Sequence, residues 1–368
     1  MKTPFRAARR AKFTYACELQ AEACAALGSP FTAQLCQLMA THQFSSAMLE
    51  DKLATWPGDL TYRVHAVPLR LCGALNALAR SGQMPALTAL YPPHHTNQLD
   101  QAFWQVLDRA ASDFEDQILA QLAFAPQTNE VRRASALMPA LLRLAARFNM
   151  PIKLYELGAS AGLNLALDHF AYQLGAQHYG PAAAPFTLKP DWQGPTPPAA
   201  QLDIVHRVGC DLNPLDSHSP ADVARLISYI WPDQTERVDR TEQAIEVAKE
   251  LDIRLDAADA AAWLEHQIDQ LQPGHMHVVY NTVAFQYFPP PVQQRISALL
   301  AAKGASATKD MPLVWLQLEK DGHQPGFTIT QQLWPAGETH ILGRADAHGR
   351  WITWHQPPKV LKLQTVDV

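Results

Sequence analysis

Cysteine is scarce and poorly spaced for bonding. The five residues, Cys17, Cys24, Cys36, Cys72 and Cys210, are odd in number and form no C-x-x-C pair. That argues against a disulfide frame and a thiolate zinc site, and it predicts reduced thiols packed in a core. No uninterrupted apolar run reaches the roughly 18–20 residues of a membrane-spanning helix. Excess positive charge is also lacking: 30 Lys and Arg face 35 Asp and Glu, a net of −5. This argues against binding nucleic acid through bulk charge. Lys2, Arg6, Arg9, Arg10 and Lys12 all precede the first acid, Glu18. A transit peptide has that bias, but a basic first helix is the simpler reading, and a cytoplasmic protein is expected.

What is present is a large apolar fraction, 48% of 368 residues, enough for a sizeable core and too much for wholesale disorder. At roughly 100–200 residues per domain, two domains are expected. Through residue 150 the apolar positions recur at helical spacing, in Phe13–Leu27, Thr32–Met39, Val67–Ala79, Gln98–Phe124 and Asn129–Phe148. Breakers separate them at Gly28-Ser29-Pro30, Trp56-Pro57-Gly58, Tyr91-Pro92-Pro93 and Ala125-Pro126. From 151 short apolar runs alternate with helical patterns, as in a parallel α/β sheet. The predicted strands are Lys153–Leu157, Ile204–Cys210, Asp252–Leu255, His277–Thr282, Pro312–Leu318, Phe327–Leu333 and His340–Trp354. The last two lack an intervening helix and are expected to pair antiparallel at the end of the sheet. Helices are predicted over Gly162–Phe170, Ala221–Tyr229, Arg240–Leu251, Ala260–Leu271 and Pro291–Lys303. Segment 175–203, rich in Gly, Pro and Ala, reads as a long insertion or lid. Ala347-His348-Gly349-Arg350-Trp351 fits the turn of a closing hairpin, with Gly349 supplying a positive φ.

The stretch Tyr155-Glu156-Leu157-Gly158-Ala159-Ser160-Ala161-Gly162-Leu163-Asn164-Leu165 carries the chemistry. It leaves a strand, turns tightly on small residues and enters a helix, whose first N–H groups are expected to face a ligand. Read as E-x-G-x-S-x-G, it resembles the first motif of class I S-adenosylmethionine-dependent methyltransferases. Read as Gly158-x-Ser160-x-Gly162, it is a nucleophile elbow, with His348 coming later in the order a serine hydrolase requires. The 150 helical residues upstream supply no strand and no oxyanion-hole loop, so the hydrolase is the alternative. The loop also lacks the G-x-G-x-x-G spacing of nicotinamide enzymes. A plain tight turn is the bland reading.

Downstream acids fit the methyltransferase reading. Asp211 ends the second strand, where an acid accepts hydrogen bonds from ribose hydroxyls. Asp259 with Ala260 after it matches the adenine-reading position that the resemblance implies, although Asp259 can equally cap a helix; Asp256 is the fallback. At the end of the fourth strand, Asn281, Gln286 and Tyr287 are candidates to hold a polar acceptor. Helix 129–148 is expected to bring its start to the same edge. There Gln127, Asn129, Glu130 and Arg133 are candidates for substrate contact, while Thr128 or Asn129 caps the helix. Tyr229–Arg237 reads as a packed corner or a pocket wall. His94-His95 and His275-x-His277 lack a third ligand and read as surface loops, so no metal is expected.

Taken together, E-L-G-A-S-A-G-L-N-L (156–165), Q-T-N-E (127–130), G-C-D-L-x-P-L-D (209–216), W-P-D-Q-x-x-R (231–237) and Ala347-His348-Gly349-x-Trp351 resemble a bacterial family catalogued as domain of unknown function 2332. The resemblance implies a bacterial, cytoplasmic protein and no activity. The expected architecture is a class I methyltransferase-like, seven-stranded, mostly parallel sheet (127–368) behind an all-helical N-terminal domain (1–126). The expected function is methyl transfer from S-adenosylmethionine to a small molecule. Glu156, Gly158, Ser160, Gly162, Asn164, Asp211, Asp259 and Ala260 are expected to bind the cofactor, with Asn281 and Tyr287 at the reacting group. A non-catalytic sensor that binds the same nucleotide is the second alternative. The oligomeric state is not legible.

Overall fold

The computed structural model describes residues 3–94 and 98–360, with side chains from Arg10 to His355. Lys2 of the basic N-terminal stretch and the second histidine of His94-His95 lie outside the described residues. The chain divides into two compact units, one of Met1–Thr128 with Pro220–Asp239 and one of Asn129–Ser219 with Arg240–Val368. Among the described residues no helix is long and apolar enough to cross a membrane.

The first unit is helical. Its elements are α1 (Thr3–Ala26), α2 (Pro30–Thr41), α3 (Ala47–Thr55), α4 (Val67–Ser81), α5 (Pro85–Thr88), α6 (Gln101–Asp113) and α7 (Glu115–Gln121). The breaker Gly28-Ser29-Pro30 works as such motifs do. Ser29 caps α2 through the amide of Thr32, and Pro30 opens the helix where no N–H is needed. Gln98–Phe124, read as one helix, is two: Phe114 leaves helical geometry and separates α6 from α7. Apolar faces of these helices meet in one core that includes Phe13, Leu35, Met39, Leu53, Leu75 and Phe103. The excursion 220–239 belongs here for physical reasons. Asn76 Nδ2 on α4 donates to the carbonyls of Ser228 (2.9 Å) and Ile230 (3.1 Å). Gly73 leaves room for the Tyr229 ring, which a Cβ would meet at 2.5 Å. Asp233 of the W-P-D-Q motif accepts from the Ser29 hydroxyl and the Phe31 amide. The motif is a packed corner of this unit.

The second unit is mixed α/β around a large, mostly parallel sheet. It opens with a 3-10 turn (Val131–Arg133) and α8 (Ala134–Phe148), then β1 (Ile152–Leu157) and a 3-10 helix (Leu163–His169). Next come the short strands β2 (Ala171–Leu174), β3 (Gln177–Tyr179), β4 (Thr187–Leu188) and β5 (Asp191–Gln193), then β6 (Ile204–Asp211). After α9 (Pro220–Ser228), which belongs to the helical unit, and α10 (Thr235–Glu250), which starts there, come β7 (Leu255–Ala257), α11 (Ala260–Gln267), β8 (Met276–Thr282), α12 (Pro290–Gly304), β9 (Leu313–Glu319), β10 (Phe327–Trp334), β11 (Glu338–Ala345) and β12 (Trp351–Val360).

The large sheet has nine strands in the order β5-β12-β11-β10-β9-β8-β1-β6-β7. Seven were expected, and the two extra have identifiable causes. The run His340–Trp354 holds two strands, β11 and β12, because Gly349 at φ +66° turns the chain inside it. The other addition, β5, is three residues of the 175–203 insertion and pairs in parallel with β12. The expected terminal antiparallel pair, β10 with β11, is therefore internal. β9–β12 form an antiparallel run, while β7, β6, β1, β8 and β9 are parallel throughout. The chain moves outward from β1 to β6 and β7, then returns to the opposite side of β1 with β8. The strand order reverses between β1 and β8, and open α/β sheets bind ligands outside the carboxyl ends of their strands at such a reversal.

Candidate functional site at the strand reversal

Strand position and register put Glu156 in its unusual setting. It is the fifth of six residues in β1, only 2% exposed, and its register partner on β8 is Tyr280. Parallel partners project to the same face, and the Tyr280 hydroxyl donates to Glu156 Oε2 at 3.1 Å. Burial pushes the carboxyl up to about 8. The Tyr280 bond and the Arg133 charge oppose that rise, and Asp211 adds to it. At neutral pH Glu156 holds its proton.

Beyond Leu157 the chain turns through Gly158 (φ +70°), Ser160 (φ +59°) and Gly162 (φ +71°). The glycines are demanded by neighbours within the protein. A Cβ at Gly158 would lie 2.7 Å from that of Ala284, and one at Gly162 would lie 2.9 Å from Ile253 Cγ2. Ser160 takes a left-handed conformation that costs a non-glycine residue about 1–2 kcal/mol. The Asp211 carboxylate at the tip of β6 offsets it: Oδ2 accepts from Ser160 N at 3.0 Å, and Oδ1 accepts from Asn213 N at 2.9 Å. Each oxygen keeps acceptor capacity for a further donor. The Ser160 hydroxyl and Asn164 Oδ1 are buried with no hydrogen-bond partner.

The expectation that the turn's amides face a ligand is corrected. Gly158 N and Ala159 N donate to the carbonyl of Cys210 at 3.0 and 2.9 Å, and Gly162 N to that of Ala159 at 2.8 Å. Leu163 N donates to Asn129 Oδ1 at 2.8 Å. The turn leads into a 3-10 helix and not the α-helix predicted over Gly162–Phe170. With these amides spent, the turn is no anion cradle.

Asn129 and Glu130 come to the turn, as expected of residues preceding α8, but neither Thr128 nor Asn129 caps a helix. Asn129 is 7% exposed and braces Leu163. Glu130 is 2% exposed, accepts from Arg132 N and pairs with Arg240 at 3.7 Å. Its carbonyl accepts from Asn164 Nδ2 at 3.4 Å. Arg133 donates to the carbonyls of Thr282 (3.2 Å) and Ala347 (2.9 Å), tying the end of β8 to the closing hairpin. Gln127 belongs to the helical unit.

Asn281, predicted to touch the reacting group, is fully buried, with its amide engaged at both ends. Nδ2 donates to Glu319 Oε1 at 2.8 Å, and Oδ1 accepts from Trp315 Nε1 at 2.9 Å. It therefore orients Glu319. Tyr287 is 75% exposed and Gln286 half-buried, both on a 3-10 turn after β8. Asp259 caps α11 through the amides of Ala261 and Ala262, and Ala260 is its buried first residue. Asp256 accepts from Trp263 Nε1 at 2.6 Å. His277 is not in a surface loop. It lies buried in β8 between Tyr155 OH and Gln272 N, and burial pulls its ring down to about 4. A cavity of about 720 Å³ lies elsewhere in this unit, lined by Met138, Leu142, Asp168, His178 and Gln201 among others, and none of the expected site residues borders it.

Sequence reasoning missed Tyr280, Arg240 and Glu319. Only Glu319 left a signal, an acid at the end of a strand run, the same sign that picked out Glu156 and Asp211. The chain as a whole matches an uncharacterised protein family conserved in bacteria, domain of unknown function 2332, over residues 15–354, and belongs to it. No curated protein and no solved structure gives a significant match.

Proposed function

We propose that the protein binds S-adenosylmethionine at the strand reversal and transfers its methyl group to a small molecule. One observation carries this reading: five of the six amides from Gly158 to Leu163, all but that of Ala161, donate within the protein, while carboxyl groups stand at the tips of β1 and β6. A dinucleotide needs free amides for its pyrophosphate. An adenosyl sulfonium has no phosphate and carries positive charge, so it suits acidic tips with a closed turn.

In this reading Asp211 accepts from the ribose hydroxyls with its remaining lone pairs. Leu212 beside it, 69% exposed, offers an apolar face to the adenine. Asp259 retains Oδ2 for the adenine amino group. Glu156, Ser160 and Asn164 supply acceptors for an ammonium, which would draw the proton off Glu156. The cofactor supplies an electrophilic methyl group, and the chain's part is alignment. Tyr287 and Gln286 lie on the acceptor side.

The hydrolase reading has one feature in its favour, the positive φ of Ser160 at an elbow. It lacks the base: the Ser160 hydroxyl has no hydrogen-bond partner, whereas an activated nucleophile sits within reach of one. Calorimetry with S-adenosylmethionine and S-adenosylhomocysteine on wild type and Asp211→Ala tests the proposal. Binding by wild type and its loss in the variant is the expected result. A wild-type protein that binds neither overturns it, and labelling of Ser160 by a fluorophosphonate would install the hydrolase in its place. Binding without turnover on any acceptor would leave a sensor.

A further inference from the structure

Glu319 ends β9, one strand beyond β8, and its two oxygens are unequally served. Oε1 accepts three hydrogen bonds, from Asn281 Nδ2 at 2.8 Å and from the amides of Ala284 and Phe285 at 2.9 Å each. Oε2 is buried and has no partner. An unserved buried carboxylate oxygen is costly, and such groups call for an explanation. The Trp315 bond to Asn281 Oδ1 fixes which end of that amide meets Glu319.

The segment Glu319 holds lies at the reversal. Val283, a β-branched residue at φ +52°, starts it, a conformation that persists only where surrounding bonds impose it. Its next residue, Ala284, packs so closely on the β1 turn that Gly158 has no room for a Cβ. Glu319 is thus joined through Ala284 to the turn that approaches the cofactor in the S-adenosylmethionine reading.

We infer that Glu319 Oε2 accepts a hydrogen bond, and then the proton, from the methyl acceptor, which is therefore an amine or a hydroxyl compound. The inference rests on the S-adenosylmethionine reading. The acceptor's lone pair bonds to the methyl carbon as the carbon–sulfur bond breaks. That bond's electron pair neutralises the sulfonium, the acceptor atom becomes cationic, and its proton passes to Oε2. Acceptors without an N–H or O–H leave Oε2 unserved and are poor.

Sinefungin carries an amino group where the transferable methyl stands, so it probes Oε2 without turnover. Wild type should bind it at least about tenfold more tightly than S-adenosylhomocysteine, equivalent to about 1.4 kcal/mol. Glu319→Gln keeps an acceptor at Oε1 but puts an amide NH2 at the other position. It should bring the ratio close to one with S-adenosylhomocysteine binding unchanged. A preference that survives Glu319→Gln overturns the inference. So does wild type that binds both compounds equally, which decides the matter even if the variant fails to fold. Wild type that binds neither overturns the cofactor reading and this inference with it.

Discussion

Replacing Glu156 by Gln should stabilise the sheet unit, and by an amount that grows with pH. Glu156 is buried between β1 and β8, and burial lifts its carboxyl from an ordinary 4.5 to about 8. Between those values the unfolded chain has lost the proton and the folded chain still holds it. The folded state therefore loses ground as pH rises, and the loss is complete above the folded value. At about 1.4 kcal/mol per pH unit, the interval comes to about 5 kcal/mol above pH 8 and about 3 kcal/mol at pH 7, with almost none below pH 4.5. Gln has no charge to bury, and the Tyr280 hydroxyl can serve either end of its amide. Urea unfolding of wild type and Glu156→Gln near pH 5, 7 and 8.5 measures the difference. The variant should gain little at the lowest pH and most at the highest. A gap that does not move with pH, or a wild type that gains on the variant as pH rises, would mean the carboxylate is ionised in the fold and would refute the reasoning.

Gly158→Ala should cost about 2 kcal/mol in thermal unfolding, because the new methyl collides with Ala284 and the residue sits at φ +70°. Gly82→Ala, at φ +71° with nothing within 4 Å, should cost only the backbone term of about 1 kcal/mol. Arg207 makes two bonds to Asp168, at 2.7 and 3.0 Å, with both side chains largely buried. Arg207→Ala should cost about 3 kcal/mol by leaving that carboxylate only His169, at 3.7 Å, beside it, and adding Asp168→Asn should recover part of it, as urea titration would show. All five cysteines are buried and free, so Ellman's reagent should titrate none in the native protein and five in urea.

The parts of this fold that were legible are those decided by near neighbours. β8, Met276–Thr282, is buried along its whole length, and the apolar stretch Val278-Val279-Tyr280 at its centre marks it as a central parallel strand. The helices announced themselves by period and by caps such as Ser29-Pro30. β5 was hidden because three residues in a Gly- and Pro-rich segment carry no period, and its partner β12 lies 160 positions away. The membership of 220–239 in the helical unit depends on Asn76 and Gly73, which no local pattern connects to it. In the site, Gly158–Gly162 and Asp211 were visible as a turn and a strand-end acid. That the turn's amides are already occupied was not, since their acceptors are Cys210 and Asn129. Asn281 looked available because a polar residue at a strand end usually is; Trp315 and Glu319, 34 and 38 positions on, occupy it.

The strand β5 has a kinetic consequence. Asp191–Gln193 adds to the sheet only through Trp351–Thr353. Closing so long a loop is entropically slow, and pairings of this separation assemble late. During synthesis the border of the sheet therefore stays open until β12 emerges, and a growing chain halted at Arg350 would present an unzipped margin to any neighbouring nascent copy.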